Sequence, residues 1–445
     1  MKKLLPVFIS VALGSFSAAV SADDLAQIYD QAKENDPQLL SAAAQRDAAF
    51  EAVTSSRSSL LPQINLTAGY NVNNSDEQAR DSELLSAGIS FSQELYNRSS
   101  WVSLDTAEKQ ARQADAQYAV VQQSLILRVA QAYFSVLSAQ DNLEFVRAEK
   151  AAVGRQLEQT KQRFEVGLSA ITDVHDAQAQ YDSVLADEVL AENTLVNSYE
   201  SLREITGQDH KDLSILDTNR FSASPSETSM DALVEEAQQK NLSLLSSRIA
   251  QDVAKDNISL ASSGHLPSLT LDGGYSYGKQ MDSSASAYSF DGHDYNDLNI
   301  GVNLSVPLYT GGNVTSQTKQ AEFSYVAASQ DLEASYRSVI KAVRANNNNI
   351  NASIGALRAY EQSVISAKSA LEATEAGFDV GTRTIVDVLD STRSLYNANK
   401  NLSSARYEYI LSVLQLRQAV GSLSEQDILD INSGLKAAKS AKTKS

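Results

Sequence analysis

Two carboxylates three residues apart, Asp387 and Asp390, have the spacing in this chain that best fits a chemical role. Residues three apart on a helix share one face, so both carboxylates would project together. If three copies of the chain met there, the carboxylates would form stacked acidic rings that favour cations and repel anions. A structural interpretation is equally compatible, because Thr384 and Asp387 match a capping box. The residues alone leave both interpretations open.

The remaining reactive side chains form no comparable pattern. The four histidines lack metal-ligand spacing, and no nucleophile–base set or phosphate loop stands out. The net charge of -18 excludes a nucleic-acid partner, because an acidic chain repels phosphate. We therefore expect no catalytic, cofactor or metal site and no enzymatic activity.

Strands are the first elements that would position these groups. Residues 62–74, 84–97, 267–281 and 297–309 alternate apolar and polar side chains with the two-residue period of strands. Apolar-out, polar-in alternation is typical of barrels that face lipid. Four strands cannot close a barrel, since closure needs about eight or more. Several chains must therefore pool their strands.

The chain start and the tyrosines bear on how a membrane would be reached. A basic start and an apolar stretch predict a signal peptide over residues 1–22, with a mature chain from Asp23. No later apolar run reaches the roughly 18 residues of a spanning helix, so a membrane would be crossed by strands. Tyr96 and Tyr309 fall at strand ends, either as an interfacial aromatic girdle or as ordinary strand-end aromatics.

Very long helices are the second kind of element. Residues 98–165 contain no proline, and a helix of that length would span about 100 Å. Their apolar residues recur at the spacing of a coiled-coil seam. A second long helix is predicted over residues 314–379. Shorter helices are predicted over residues 170–206 and 384–421. The helices alone would also suit a soluble coiled coil, and the strands argue against that reading.

Each half of the chain has the same predicted order: one helix, two strands, a very long helix and a shorter helix. Phe164-Glu165-Val166-Gly167 recurs 214 positions later as Phe378-Asp379-Val380-Gly381. We divide the chain into repeat 1 over residues 23–222, repeat 2 over residues 229–430 and a disordered basic tail over residues 431–445.

Several stretches resemble the TolC family of outer-membrane efflux and secretion ducts. They are Arg-Asp-Ala-Ala-Phe-Glu at 46–51, Gly-His-Leu-Pro at 264–267, Asn-Ile-Asn-Ala-Ser-Ile at 349–354 and Val-Gly-Thr-Arg-Thr-Ile-Val-Asp-Val-Leu-Asp at 380–390. The resemblance implies a mainly helical fold with membrane strands. It implies a homotrimer in outer-membrane lipid, with a twelve-stranded β-barrel continued by a helical barrel across the periplasm.

The resemblance also implies a function and partners. Such proteins are passive exit ducts for drug efflux and type I protein secretion. A periplasmic adaptor and an inner-membrane transporter of the RND or ABC type open them at the periplasmic tip. One alternative is a soluble periplasmic coiled-coil scaffold or adaptor, but the predicted membrane strands argue against it. The other is a general diffusion porin, but the long helices and the acidic constriction argue against it.

By resemblance, specific residues would carry closure. Asp387 and Asp390 match the cation-selective ring. Thr172, Asp173 and Arg383 match a latch between helix pairs in the closed state. Phe378 departs from the family pattern, because it stands where a Tyr hydroxyl would bond the Asp. Closure is therefore expected to depend more on Arg383.

The turns before these residues would dock the adaptor. The matching positions are Val166, Gly167, Leu168, Val380, Gly381 and Thr382. Ordinary helix-capping turns are the alternative interpretation.

Overall fold

The computed structural model describes residues 23–73, 82–226, 228–281 and 294–436. The predicted signal peptide (residues 1–22) and residues 437–445 of the predicted tail lie outside the described residues. Among the described residues, no helix combines the length and apolarity needed to cross a membrane.

Helices and strands follow one order in each half of the chain. The first half contains α1 (Leu25–Asn35), α2 (Pro37–Ser58), β1 (Gln63–Asn73), β2 (Ser82–Asn97), α3 (Arg98–Glu165), α4 (Ile171–Thr206) and β3 (Ile215–Leu216). The second contains α5 (Met230–Lys240), α6 (Leu242–Ser262), β4 (Ser268–Met281), β5 (Asp294–Ser305), α7 (Asn313–Asp379), α8 (Ile385–Val420), α9 (Glu425–Asn432) and β6 (Leu435–Lys436). The helix pair, hairpin, long helix and shorter helix are thus built twice.

The four long strands form one antiparallel sheet in the order β1-β2-β4-β5. The register pairs Ile64 with Phe91 and Leu66 with Ile89, so apolar side chains collect on one face. That face is uncovered in the single chain: Leu66 and Ile300 are 77% and 78% exposed. The sheet also has two free edges, β1 and β5.

Tyrosines lie at both ends of the apolar face. Tyr96 lies near the end of β2, and Tyr309 lies beyond β5 and is largely exposed. At the opposite end lie Tyr70, Tyr275 and Tyr277. These three were not among the tyrosines predicted for an aromatic girdle. Along β4, eight residues separate the partner of Tyr96 from Tyr277, about 27 Å of strand. A band of that height matches the apolar belt of outer-membrane barrels.

The helix before each hairpin is broken in two by a capping residue. Asp36 ends α1 and caps α2, accepting from the Leu39 N–H at 2.8 Å. Its buried carboxylate also accepts hydrogen bonds from Arg128 Nη1 and Nη2, at 3.0 and 2.7 Å. In the second half Asn241 caps α6 in the same way. One helix was predicted in each place because the sequence signal for this break is only a single capping residue.

Two predicted boundaries were wrong. Strand β5 ends at Ser305 and not at residue 309, since Pro307 has no N–H to offer the ladder. The tail does not begin at residue 431, because α9 runs to Asn432 and Leu435–Lys436 pairs with Ile215–Leu216. That pairing is long-range, so local composition did not reveal it.

Candidate functional site

The long helix α3 ends in a tight turn built around Gly167. The Leu168 N–H donates to the Arg163 carbonyl at 2.8 Å, and the Gly167 N–H donates to the Phe164 carbonyl at 2.9 Å. This pair of bonds is a Schellman motif, and it requires a residue with positive φ, which Gly167 supplies at 78°. The turn therefore exists because a glycine follows the helix.

Helix α7 ends in the same way around Gly381. The Thr382 N–H donates to the Gly377 carbonyl at 2.8 Å, and the φ of Gly381 is 78°. Three apolar side chains of these turns point into solvent: Val166, Leu168 and Val380 are 69%, 77% and 76% exposed. A Cβ added at either turn glycine would meet no atom within 4 Å. The predicted docking residues thus form two small turns with exposed apolar side chains, which follow α3 and α7.

Asp387 closes a capping box at the start of α8, as the structural interpretation required. Its Oδ2 accepts the Thr384 N–H and the Thr384 hydroxyl, both at 2.9 Å. These bonds, first the backbone and then the hydroxyl, hold the pKa of the Asp387 carboxyl below its ordinary value, and the nearby Arg383 charge acts in the same direction. The box does not remove Asp387 from the surface, since its side chain is only partly buried.

Asp390 lies one turn on from Asp387 and is exposed. Its Oδ1 is 3.7 Å from Arg393 Nη1 on the same helix. Arg393 also donates through Nη2 to Gln180 Oε1 of α4. The structure therefore brings the two carboxylates onto one end of α8, beside a cation that reaches the neighbouring helix pair.

The predicted latch residues are not joined within one chain. Asp173 is part of the α4 cap, accepting from the Ser169 hydroxyl at 2.7 Å and the Ala170 N–H at 3.1 Å. Arg383 is exposed, and its stem lies over Gly377, where an added Cβ would be 2.7 Å from Arg383 Cγ. No hydrogen bond or ion pair joins Arg383 to Asp173 or Thr172 among these described residues. Their latch role stays a prediction about an assembled molecule.

Phe378 contacts a residue that sequence reasoning missed, Arg163. The Arg163 guanidinium lies 4.4 Å from the centroid of the Phe378 ring. Arg163 Nη1 lies 3.5 Å from the Phe378 carbonyl oxygen, and Nη2 lies 3.4 Å from Asp379 Oδ1. The last turns of α3 and α7 are connected through this one side chain.

An apolar cluster holds the helices together next to this contact. It consists of buried side chains from α3, α4 and α8: Val153, Leu157, Ala177, Val184, Ile385, Val388 and Leu389. Phe378 packs against its edge. Gln156 Nε2 of α3 also donates to Thr392 Oγ1 of α8 at 3.2 Å. The site is therefore a packed four-helix end with exposed turns and charged residues on its surface.

A sequence signal for Arg163 did exist in the divergence of the two repeats. At the offset of 214 positions, Arg163 corresponds to Gly377, and Ser169 corresponds to Arg383. Each turn thus has one arginine, but at a different place. Arg163 precedes its turn and reaches across to α7, whereas Arg383 follows its turn and packs on its own helix.

Comparisons with known proteins agree with this architecture over nearly the whole chain. The family model of the outer membrane efflux protein matches residues 28–208 and 233–422. The outer membrane protein TolC of Vibrio cholerae serotype O1 is 79% identical over 439 residues, covering 99% of this chain and 100% of that protein. Outer membrane protein TolC of Escherichia coli K12 is 46% identical, covering 98% of this chain and 90% of that protein.

A secretion protein and solved structures extend the likeness. The alkaline protease secretion protein AprF of Pseudomonas aeruginosa is 30% identical over 413 residues, covering 90% of this chain and 85% of that protein. The structure of CusC has a TM-score of 0.77 at 17% identity and covers 89% of this chain and 92% of its own. The outer membrane protein VceC of Vibrio cholerae has a TM-score of 0.73 at 19% identity, covering 89% and 96%. The predicted fold, long helices continuing membrane strands in two repeats, is confirmed.

Proposed function

The chain belongs to the outer membrane efflux protein family, and from that premise we propose that it is a passive exit duct for drug efflux and type I protein secretion. It is an outer-membrane protein. One structural observation supports the duct most directly. A sheet with an uncovered apolar face is followed by α3 and α7, each about 100 Å long. Both helices end at the packed four-helix end described above, here called the tip. A conduit that crosses lipid and then a wide aqueous space needs both parts.

The free edges of the chain support assembly into a homotrimer. In the sheet the edges are β1 and β5. In the helical body α2 packs on α3, α3 on α6 and α6 on α7, so α2 and α7 are the outer helices of that layer. Exposed apolar residues lie on these helices, including Phe50 on α2 and Phe323 on α7. The first repeat would join the second repeat of the next copy, and three copies would supply twelve strands in one closed ring.

In that trimer the tip would carry the selectivity of the duct. Asp387 and Asp390 are on one face at the start of α8, so three copies would place six carboxylates around one constriction. The Asp387 capping box does not compete with this role, because it holds the carboxylate ionised and oriented. We propose that both interpretations of the acidic pair are true at once.

Closure and docking are assigned to the same end of the molecule. Thr172, Asp173 and Arg383 would join helix pairs of the closed trimer. Arg383 is exposed and forms no ion pair with another residue in the described part of its chain, so it could reach a neighbouring copy. The exposed turns at Val166–Leu168 and Val380–Thr382 would receive a periplasmic adaptor. An inner-membrane RND or ABC transporter would supply the energy, and the protein itself would perform no catalysis.

A deletion strain tests the proposal. Loss of the protein should raise drug susceptibility and abolish secretion of type I substrates, and the plasmid-borne gene should restore both. The purified protein should form outer-membrane trimers with very low conductance in planar bilayers. A large, steady conductance would indicate a diffusion porin, and recovery in the soluble periplasmic fraction would indicate a scaffold.

A further inference from the structure

We propose that Arg163 clamps the closed tip by joining the C-terminal turn of α3 to that of α7 within each protomer. The proposal rests on the function proposed above, because a clamp matters only in a duct that closes. It adds a positioning residue that belongs to neither the acidic ring nor the Asp173–Arg383 latch.

The first argument is the number of contacts that one side chain makes. The Arg163 guanidinium covers the face of the Phe378 ring, 4.4 Å from its centroid, which is the geometry of a cation–π contact. It also lies 3.4 Å from Asp379 Oδ1 and 3.5 Å from the Phe378 carbonyl oxygen. Arg163 is 28% exposed at its side chain, so water screens these contacts only in part.

The second argument is the electrostatics of two helix ends. The C-terminus of a helix carries a partial negative charge, and α3 and α7 end side by side at the tip. Helix α7 has no basic residue in its last turn and carries Asp379 there, whereas the last turn of α3 has Arg163. The last turn of α3 also carries Glu165, so one cation offsets the repulsion between two helix ends and two carboxylates. Without it, this end of the closed tip would favour separation.

The third argument is how firmly both partners are held. The Arg163 backbone carbonyl accepts the Leu168 N–H, and the Phe378 carbonyl accepts the Gly381 N–H at 3.1 Å. Each partner is thus part of the Schellman turn that ends its helix. Any movement of one turn relative to the other must break the contact between Arg163 and Phe378. An adaptor that binds the exposed turns would produce such a movement.

The test is single-channel recording of purified trimers in planar bilayers. Arg163→Gln removes the charge and keeps a polar side chain that can donate hydrogen bonds, and Phe378→Leu removes the ring and keeps an apolar side chain. Each should raise the open fraction about two- to fivefold per protomer, the effect expected of losing a cation–π contact that is partly open to solvent. The open fraction of Arg163→Lys should lie between those of wild type and Arg163→Gln, because lysine keeps the charge without the planar guanidinium. Arg337→Gln is the matched control and should leave conductance unchanged, since among the described residues Arg337 forms an ion pair only with Glu333 of its own helix.

A double variant separates the clamp from general loosening of the tip. If guanidinium and ring act as one unit, Arg163→Gln with Phe378→Leu should open the duct no more than the stronger single variant. If the double variant raised the open fraction by the product of the two single effects, the proposed pairing of guanidinium and ring would be wrong. Wild-type conductance in Arg163→Gln would overturn the clamp itself. If wild type formed no low-conductance trimer, the proposed duct would fail instead. Trimer content on size-exclusion chromatography should be unchanged in all variants, because Arg163 contacts its own chain.

Discussion

At the scale of single residues, the tip combines capping and charge in the same side chains. Asp387 caps α8 with one oxygen, Oδ2, and its carboxylate still reaches the surface. Asp173 caps α4 in the same manner. The two hydrogen bonds to Asp387 orient its carboxylate and hold its pKa below the ordinary value. The local rule for beginning a helix therefore also places charges where the helix tip meets solvent.

The first prediction concerns the acidic ring. Asp387→Asn with Asp390→Asn should weaken the block of single-channel current by a trivalent cation at least tenfold, because six carboxylates of the trimer are lost. In Asp390→Asn alone, the remaining block should persist as the pH falls from 7 to about 5. The lowered pKa of Asp387 keeps its charge until the pH falls below the usual Asp range near 4. Unchanged block in the double variant would exclude the ring.

At the scale of elements, glycines decide where helices end, and their surroundings decide what replacing them costs. Gly207 and Gly421 are repeat-related C-terminal caps of α4 and α8 with φ of 70° and 89°. Within 4 Å, a Cβ at Gly207 would meet one atom of the described residues, Asn35 Cβ at 3.8 Å. A Cβ at Gly421 would lie 2.4 Å from the Lys240 carbonyl oxygen. The same motif is thus open in one repeat and packed against backbone in the other.

These two glycines provide a matched pair for a stability measurement. Gly207→Ala should lower stability by roughly 1–2 kcal/mol, the cost of placing an L-residue at positive φ. Gly421→Ala should cost clearly more, because the α5–α6 joint at Lys240 must move as well. Thermal melting followed by circular dichroism measures both, and equal melting temperatures would contradict the packing at Gly421.

The turn glycines at the tip lead to a different expectation. A Cβ added at Gly167 or Gly381 meets no described atom within 4 Å, so trimers of Gly167→Leu and Gly381→Leu should assemble, but export should be lost because the docking surface is filled. Gly167→Asn is the control for backbone strain, since Asn tolerates positive φ better than Leu and adds less volume. Export measured by drug susceptibility should therefore fall less in Gly167→Asn. Full export in both leucine variants would place docking elsewhere.

At the scale of the whole molecule, the single chain is incomplete. Its sheet has two free edges and an uncovered apolar face, and its outer helices carry exposed aromatic residues. A free strand edge with an apolar face is a liability unless another strand pairs with it. Cyclic assembly removes every edge at once, which is the physical reason to expect a closed trimer and no stable monomer.

A charge on an outer helix tests this expectation. Phe323 is 75% exposed on α7, and Phe323→Asp should reduce the trimer fraction severalfold on size-exclusion chromatography with light scattering, because it buries a charge between protomers. Glu322→Gln, at the neighbouring exposed position, is the control and should assemble normally. Intact trimers in Phe323→Asp would remove this face from the interface.

The sequence by itself determined everything that depends on local periodicity. The two-residue alternation of the strands, the seam of α3 and the glycines after the long helices were all readable, because each is a repeated pattern within a short stretch. The duplication and the acidic pair at Asp387 and Asp390 were readable for the same reason.

Only the tertiary structure decided which distant residues meet. The contact of Arg163 with Phe378 joins positions more than 200 residues apart, and so does the pairing of β3 with β6. The buried pair of Asp36 with Arg128 likewise depends on how α2 packs on α3. Such contacts follow from the packing of whole helices, and no local pattern of side chains records them. The divergence of the repeats marked Arg163, but its contact with Phe378 became visible only when both long helices were in place.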